Sequence, residues 1–341
     1  MSEDVSDSDR SRAESIVADV GVSGNVRLAE ELVSEALGLI GDEPDTLDLK
    51  IATAALAEMR DAYEVFAPYR DERKVTIFGS ARTRPDEPLY DLTRRLAAML
   101  AERGWMTVTG AGPGIMEAGM EGAGRERSIG VSIRLPFEAG ANPIIAGDEK
   151  HVSMKYFFTR KLMLIKESHA FVSLPGGFGT LDETFELLTL VQTGKGLPVP
   201  IVLLDAPDDP YWESVVTFVA DQLVDRGLVS ARDTEMYTIT HSCDEACRSI
   251  ERFYANYDSV RVVGDNLVMR IREMPSKAQL RELNEQFAHL PVEGTIHPIE
   301  PFKVEVRDDD KLDLPRLGFH FDKRGYAGVI GLINALGDLV D

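Results

Sequence analysis

Leu174-Pro175-Gly176-Gly177-Phe178-Gly179-Thr180-Leu181-Asp182-Glu183 decides how the rest of this chain is read. Immediately before it, Ala170-Phe171-Val172-Ser173-Leu174 is a short apolar run of the kind that forms a buried strand. Immediately after it, Thr184-Phe185-Glu186-Leu187-Leu188-Thr189-Leu190-Val191-Gln192 has the pattern of a helix. Gly176, Gly177 and Gly179 occupy the turn, where the missing Cβ lets another group approach the backbone. Thr180 is expected to be the N-cap, and the first helical N–H groups lack intrahelical partners. Strand, glycine-rich turn and helix N-terminus together make an anion site, most often for phosphate.

The same rhythm extends outward. Val75-Thr76-Ile77-Phe78 predicts a first strand running into Gly79-Ser80-Ala81-Arg82, with a helix over 88–103. Met106-Thr107-Val108-Thr109 predicts a second, followed by Gly110-Ala111-Gly112-Pro113-Gly114-Ile115-Met116-Glu117 and a helix. Ile129-Gly130-Val131-Ser132-Ile133 predicts a third, then a long loop containing Pro136 and Pro143. A helix over 154–167 leads to the central strand, then a strand over 199–204 and a helix over 210–226. Alternating strands and helices predict an α/β fold with a doubly wound, Rossmann-like parallel sheet. In such sheets ligands bind beyond the carboxyl ends of the strands. The loops at Gly79 and Ser80, at Gly110, Gly112 and Gly114, and at 175–180 all fall there. Gly110-x-Gly112-x-Gly114 is not the Gly-x-Gly-x-x-Gly dinucleotide fingerprint.

Several polar residues near these loops have two readings. Thr180-x-x-Glu183 has the form of a capping box, with Glu183 bonding back to the Thr180 N–H. A carboxylate beside a sugar can instead stabilise an oxocarbenium-like state and orient water. Arg160-Lys161 lies on the predicted helix 154–167; a basic pair there is ordinarily solvated, yet that helix ends just before the central strand, within reach of the crevice. Asp182 suits the helix dipole, and Glu186, one turn beyond Glu183, could face ribose hydroxyls. Arg82, after the first strand, is a candidate for phosphate or ribose; Arg134, after the third, is a lesser one, and Glu117 suits a helix start.

The run Pro175 to Glu183 resembles the Lonely Guy (LOG) family signature Pro-Gly-Gly-x-Gly-Thr-x-x-Glu, and Arg160-Lys161 is similar to the family's second mark. The resemblance covers roughly residues 74–253. It implies a cofactor-free phosphoribohydrolase that cuts the N-glycosidic bond of a nucleoside 5′-monophosphate, AMP or an N6-substituted cytokinin precursor, releasing base and ribose 5-phosphate. It makes Glu183 and Arg160 catalytic, with Lys161, Phe178 and the loop from Gly176 to Thr180 at the substrate, Met154 near the base and Thr189 a substrate contact. It also implies a homodimer or higher homo-oligomer. Family members are often labelled lysine decarboxylases; Lys195, in a Gly-Lys-Gly turn, has no context of a Schiff-base lysine. The alternative is a nucleotide-binding, sensing or cofactor-carrier protein of the same Rossmann-like superfamily, without turnover.

Composition limits the other classes. The chain has 341 residues, 44% hydrophobic, and no run near the ~18 apolar residues of a membrane span. Residues 1–12 are polar and acidic, without a secretory h-region, and are expected to be a disordered tail. The net charge of −21 argues against a nucleic-acid partner and requires local positive charge for a phosphorylated substrate. Two cysteines, Cys243 and Cys247, fit a reducing cytoplasm; with His241 they lack a fourth metal ligand nearby. Residues 1–70 are expected as a helical extension and 71–258 as the catalytic domain. Residues 259–341 are expected as a small α+β appendage, with strands over 260–263, 267–271, 302–306 and 317–321 and helices over 276–289 and 326–339.

Overall fold

The computed structural model describes residues 7–135 and 140–340; Pro136 and the first six residues of the expected tail lie outside them. The chain divides into two compact units, Met1–Glu58 and Met59–Asp341. The first is helical: α1 (Asp7–Val20), α2 (Val26–Gly41) and most of α3 (Thr46–Phe66). The tail expected over 1–12 is therefore helix from Asp7 onward; Ala13 and Val17, four apart on one face, are buried and anchor it.

The second unit begins with the end of α3 and holds two sheets. Its first half runs β1 (Lys74–Phe78), α4 (Pro88–Glu102), β2 (Met106–Thr109), α5 (Ile115–Ala123), β3 (Ser128–Ile133), β4 (His151–Met154), α6 (Phe157–Lys166), β5 (Ala170–Ser173), α7 (Phe178–Gln192), β6 (Ile201–Leu204), α8 (Tyr211–Phe218), β7 (Thr238–Thr240) and α9 (Cys243–Asn256). The seven strands form one sheet in the order β4-β3-β2-β1-β5-β6-β7. Every pairing is parallel. β1, β2, β5 and β6 are buried along their whole length, because helices cover both faces; hence their unbroken apolar runs. The order reverses between β1 and β5, the place where a doubly wound sheet opens a crevice at its carboxyl edge.

The second half is β8 (Tyr257–Val263), β9 (Asn266–Ile271), α10 (Lys277–Gln286), β10 (His297–Pro298), α11 (Lys303–Arg307), β11 (Arg316–His320) and α12 (Tyr326–Gly337). Its four strands make a separate antiparallel sheet, order β10-β11-β9-β8. Among the described residues no helix is long and apolar enough to cross a membrane.

The structure corrects three local expectations. Residues 151–154 are a strand, and the helix expected from Met154 begins at Phe157, because Val152 and Met154 alternate inward on the sheet edge. Residues 302–306 are not a strand: Glu305 points inward, ion-paired with Arg270 (2.7 Å) and Arg316 (3.3 Å), and accepts from the Phe302 N–H, which starts a helix. The helix expected over 210–226 ends at Phe218 and continues as a π-helical turn over Val219–Val224. The sequence reading assigned nothing to β7 and α9, although Ser242 caps α9 by accepting from the Glu245 N–H.

One buried acid leaves a mark on stability. Asp205, just past β6, is fully buried; Oδ2 accepts from the Trp212 N–H at 2.9 Å, and Oδ1 has no partner among the described residues. Burial pushes its pKa up to about 6. Raised above the unfolded value, this group stabilises the fold when protonated, and that contribution is lost as pH rises from about 4 through about 6. Asp205→Asn keeps an acceptor for Trp212 and should stabilise the protein at pH 7.5 by on the order of 2 kcal/mol, with the gain vanishing near pH 4. Urea denaturation of both proteins across this range measures it; a pH-independent difference would contradict the assignment.

Candidate active site

Three loops converge at the carboxyl edge beside the reversal point. The Ser80 N–H donates to the Pro175 carbonyl (3.3 Å), and the Ile115 N–H donates to the Ser80 carbonyl (3.0 Å). Gly79-Ser80, the Gly110 to Gly114 loop and the Pro175 to Thr180 loop are thus hydrogen-bonded into one surface. Gly114 has φ +69, and a Cβ there would lie 2.4 Å from the Ser80 carbonyl oxygen. Gly112 packs on Met116, and Gly79 on Ile115.

α7 begins one turn earlier than expected. Its N-cap is Gly177, so Thr180 lies inside the first turn, buried, with its hydroxyl against Gly176. No capping box forms from Thr180 and Glu183. Glu183 Oε1 accepts instead from Arg160 Nη1 at 2.9 Å, and both side chains are nearly buried, 12% and 10% exposed. Arg160 Nε donates to the Val131 carbonyl at 3.0 Å, which aims the guanidinium across β3. Its other nitrogen occupies the space a side chain at Gly110 would take. Burial pushes the Glu183 pKa up, and Arg160 pulls against it. The result is a carboxylate with a raised pKa beside the exposed N–H groups of a helix start, where the macrodipole favours an anion.

The other predicted residues are placed unevenly. Gly177, Phe178 and Gly179 are exposed at the tip, Phe178 94% so. Lys161 is not free: its ammonium lies 3.1 Å from Asp182 and 2.5 Å from Glu186, so Glu186 faces a lysine. Arg82 is exposed beyond the first loop, and its N–H donates to Ser80 Oγ. Met154 is fully buried in the core. Thr189 is exposed two turns further along α7, and its hydroxyl donates to the Phe185 carbonyl.

Sequence reasoning missed two residues that brace the loop from behind. The Tyr211 hydroxyl donates to the Gly176 carbonyl (2.7 Å), and Trp212 Nε1 donates to the Ser173 carbonyl (2.9 Å). Their signal was an aromatic pair directly after Asp-Asp-Pro at a helix start. Cys243 and Cys247 are buried and free, and burial pushes the Cys247 thiol up to about 11. Among the described residues no group of three or more His, Cys, Asp or Glu could hold a metal ion.

Residues 110–250, less than half of the chain, match the family described as "Possible lysine decarboxylase". They carry the Arg160–Glu183 pair and two of the three loops, and they hold the motifs that resemble LOG proteins. This stretch is similar to LOG-family proteins. Cytokinin riboside 5′-monophosphate phosphoribohydrolase LOG7 of Arabidopsis thaliana is 33% identical over 118 residues, 34% of this chain and 52% of LOG7. The match therefore spans about half of that relative's length. LOG2 of the same plant, also named a cytokinin riboside 5′-monophosphate phosphoribohydrolase, is 26% identical over 57% of this chain and 91% of LOG2. Among solved structures, the X-ray structure of TM1055 is similar, at 25% identity and TM-score 0.39, covering 53% of this chain and 99% of that one.

The packing of Gly110 on Arg160 gives a test of the site's geometry. A methyl at position 110 would sit 2.1 Å from Arg160 Nη2. Gly110→Ala should drive the guanidinium off Glu183, at a strain cost of about 1–3 kcal/mol. With the cation displaced, the Glu183 pKa should rise further. Carbon-13 NMR titration of the glutamate carboxyls checks this; an unchanged Glu183 titration would show that the pair survives.

Proposed function

We propose that this protein hydrolyses the N-glycosidic bond of nucleoside 5′-monophosphates, AMP or N6-substituted adenine nucleotides, to free base and ribose 5-phosphate. The observation that carries the reading is the Glu183 carboxylate, buried against Arg160 at 2.9 Å beside the glycine-rich start of α7. The activity for which LOG7 and LOG2 are named, on cytokinin riboside 5′-monophosphates, supports the same class of substrate.

The 5′-phosphate sits on the open N–H groups at the start of α7, which supply positive potential in a chain of net charge −21. Arg160 holds Glu183 and the sugar in register. As the C1′–N bond breaks, its electron pair leaves with the base and positive charge grows on the ribose; Glu183 stabilises that charge. Water then bonds to C1′, Glu183 takes its proton, and the proton ends on the departing base. A general base of this kind contributes on the order of 10²–10⁴ in rate.

Incubation with AMP and isopentenyladenosine monophosphate should release free base, and Glu183→Gln should lower kcat by about 10²-fold or more. Because Glu183 must be ionised and its pKa is raised, wild-type kcat/KM should fall on the acid side through a value above the ordinary glutamate range. Tight nucleotide binding without base release, unchanged by Glu183→Gln, would instead establish a binder or carrier.

We also propose that two copies associate through the mouth of this site. Phe157, Phe158 and Leu162 on α6 are roughly half exposed, and Phe178 at the loop tip almost wholly so. Large apolar side chains left exposed to this degree are what an interface between copies would cover. Light scattering should give a multiple of the 37.7 kDa chain mass, and Phe158→Asp should reduce it; a monomeric wild type overturns the proposal.

A further inference from the structure

A second cavity of about 500 Å³ lies toward the amino ends of β5 and β6, on the opposite edge of the sheet from the loops that form the candidate active site. Its walls come from α6, α7, the 195–199 turn and the junction of α9 with β8. The volume is that of a small-molecule pocket. The lining is chiefly apolar and aromatic, with Phe171, Leu187, Leu190 and Tyr254 prominent.

The polar groups in these walls are nearly all committed to partners. Glu186 is ion-paired with Lys161, Asp258 with Lys311 (2.6 Å) and Lys166 with Glu167, and the Tyr254 hydroxyl donates to the His169 carbonyl (2.6 Å). Two groups remain. Lys195 is exposed at the rim, and its ammonium has no partner among the described residues. His169 Nδ1 accepts from the Lys74 N–H at 3.2 Å, and burial with nearby cations lowers its pKa to about 4. The ring is therefore neutral at physiological pH with its proton on Nε2, which has no partner among the described residues. Both carboxylates in the wall are already neutralised by lysines, so the uncommitted groups are an ammonium and an N–H donor. An apolar, aromatic chamber with only donors to spare suits a flat body bearing an anionic head.

We infer that this cavity is an accessory site for a small aromatic carboxylate or comparable flat organic anion, with the ring system against Tyr254 and Leu190 and the anionic group between Lys195 and His169. The inference stands apart from the phosphoribohydrolase reading, since no residue it uses belongs to the catalytic pair.

The test uses the full chain and 1-naphthoate, followed by calorimetry, with uncharged 1-naphthalenemethanol as the comparison. One site per chain with a Kd below about 1 mM is expected for a ligand of this size. The alcohol should bind at least about fivefold more weakly. Lys195→Glu, an exposed turn substitution, should weaken naphthoate by at least about fivefold. Leu190→Trp fills the chamber and should abolish binding. Absence of naphthoate binding by the wild type overturns the assignment, as does a Kd unchanged in Lys195→Glu; the latter decides the matter even if Leu190→Trp fails to fold. Base release from AMP is read separately, so loss of either result leaves the other intact.

Discussion

The arrangement depends on one buried ion pair. Arg160 and Glu183 come from helices on the two sides of β5 in sequence, and they meet at 2.9 Å with little exposure to solvent. Two charges taken out of water are expensive, and their attraction repays the cost only when the remaining hydrogen-bonding groups are also satisfied. Here the Val131 carbonyl takes the Arg160 Nε proton, and Gly110 leaves room for the rest of the guanidinium. The neighbouring Lys161, Asp182 and Glu186 form a second ionic set along the same helix–helix seam. A pair of well-packed apolar side chains would hold these helices with less desolvation.

The sheet determines where that pair sits. Because the strand order reverses between β1 and β5, the loops after those two strands diverge to opposite faces and leave a crevice at their carboxyl ends. Backbone hydrogen bonds from Ser80 to Pro175 and from Ile115 to Ser80 lock the crevice walls together. Tyr211 and Trp212 hold the glycine-rich loop from behind, so the start of α7 is supported on both sides. The start of α7 can thereby offer an anion the backbone N–H groups of a helix N-terminus within an acidic protein.

Much of this was legible in the residues. The strands of the parallel sheet read correctly because burial on both faces leaves continuous apolar runs. The convergence of three small-residue loops followed from the topology those runs implied. The errors share a cause in competition between local pattern and tertiary partner. Thr180 is a sound local N-cap, but the helix starts at Phe178 after Gly177, and Arg160, 23 residues upstream, rather than the Thr180 N–H takes the Glu183 carboxylate. Phe302 to Val306 alternates like a strand, but the two arginines around Glu305 reverse its inward face and the segment coils. Met154 ends an edge strand instead of starting a helix, because a strand of four residues carries too short a pattern to be distinguished from a helix start.

Taken alone, the sequence determined the doubly wound class, the placing of three small-residue loops at the carboxyl ends of its strands, and Arg160 and Glu183 as residues of the helices on either side of the central strand. These follow from near-neighbour rules: periodicity, glycine placement and a helix start after a buried strand. Only the tertiary structure decided that those two side chains touch, that Lys161 is spent on Asp182 and Glu186, and that a second chamber opens at the other edge of the sheet. Such facts depend on distances between segments far apart in the chain, which become defined only when packing and desolvation select one arrangement of the whole.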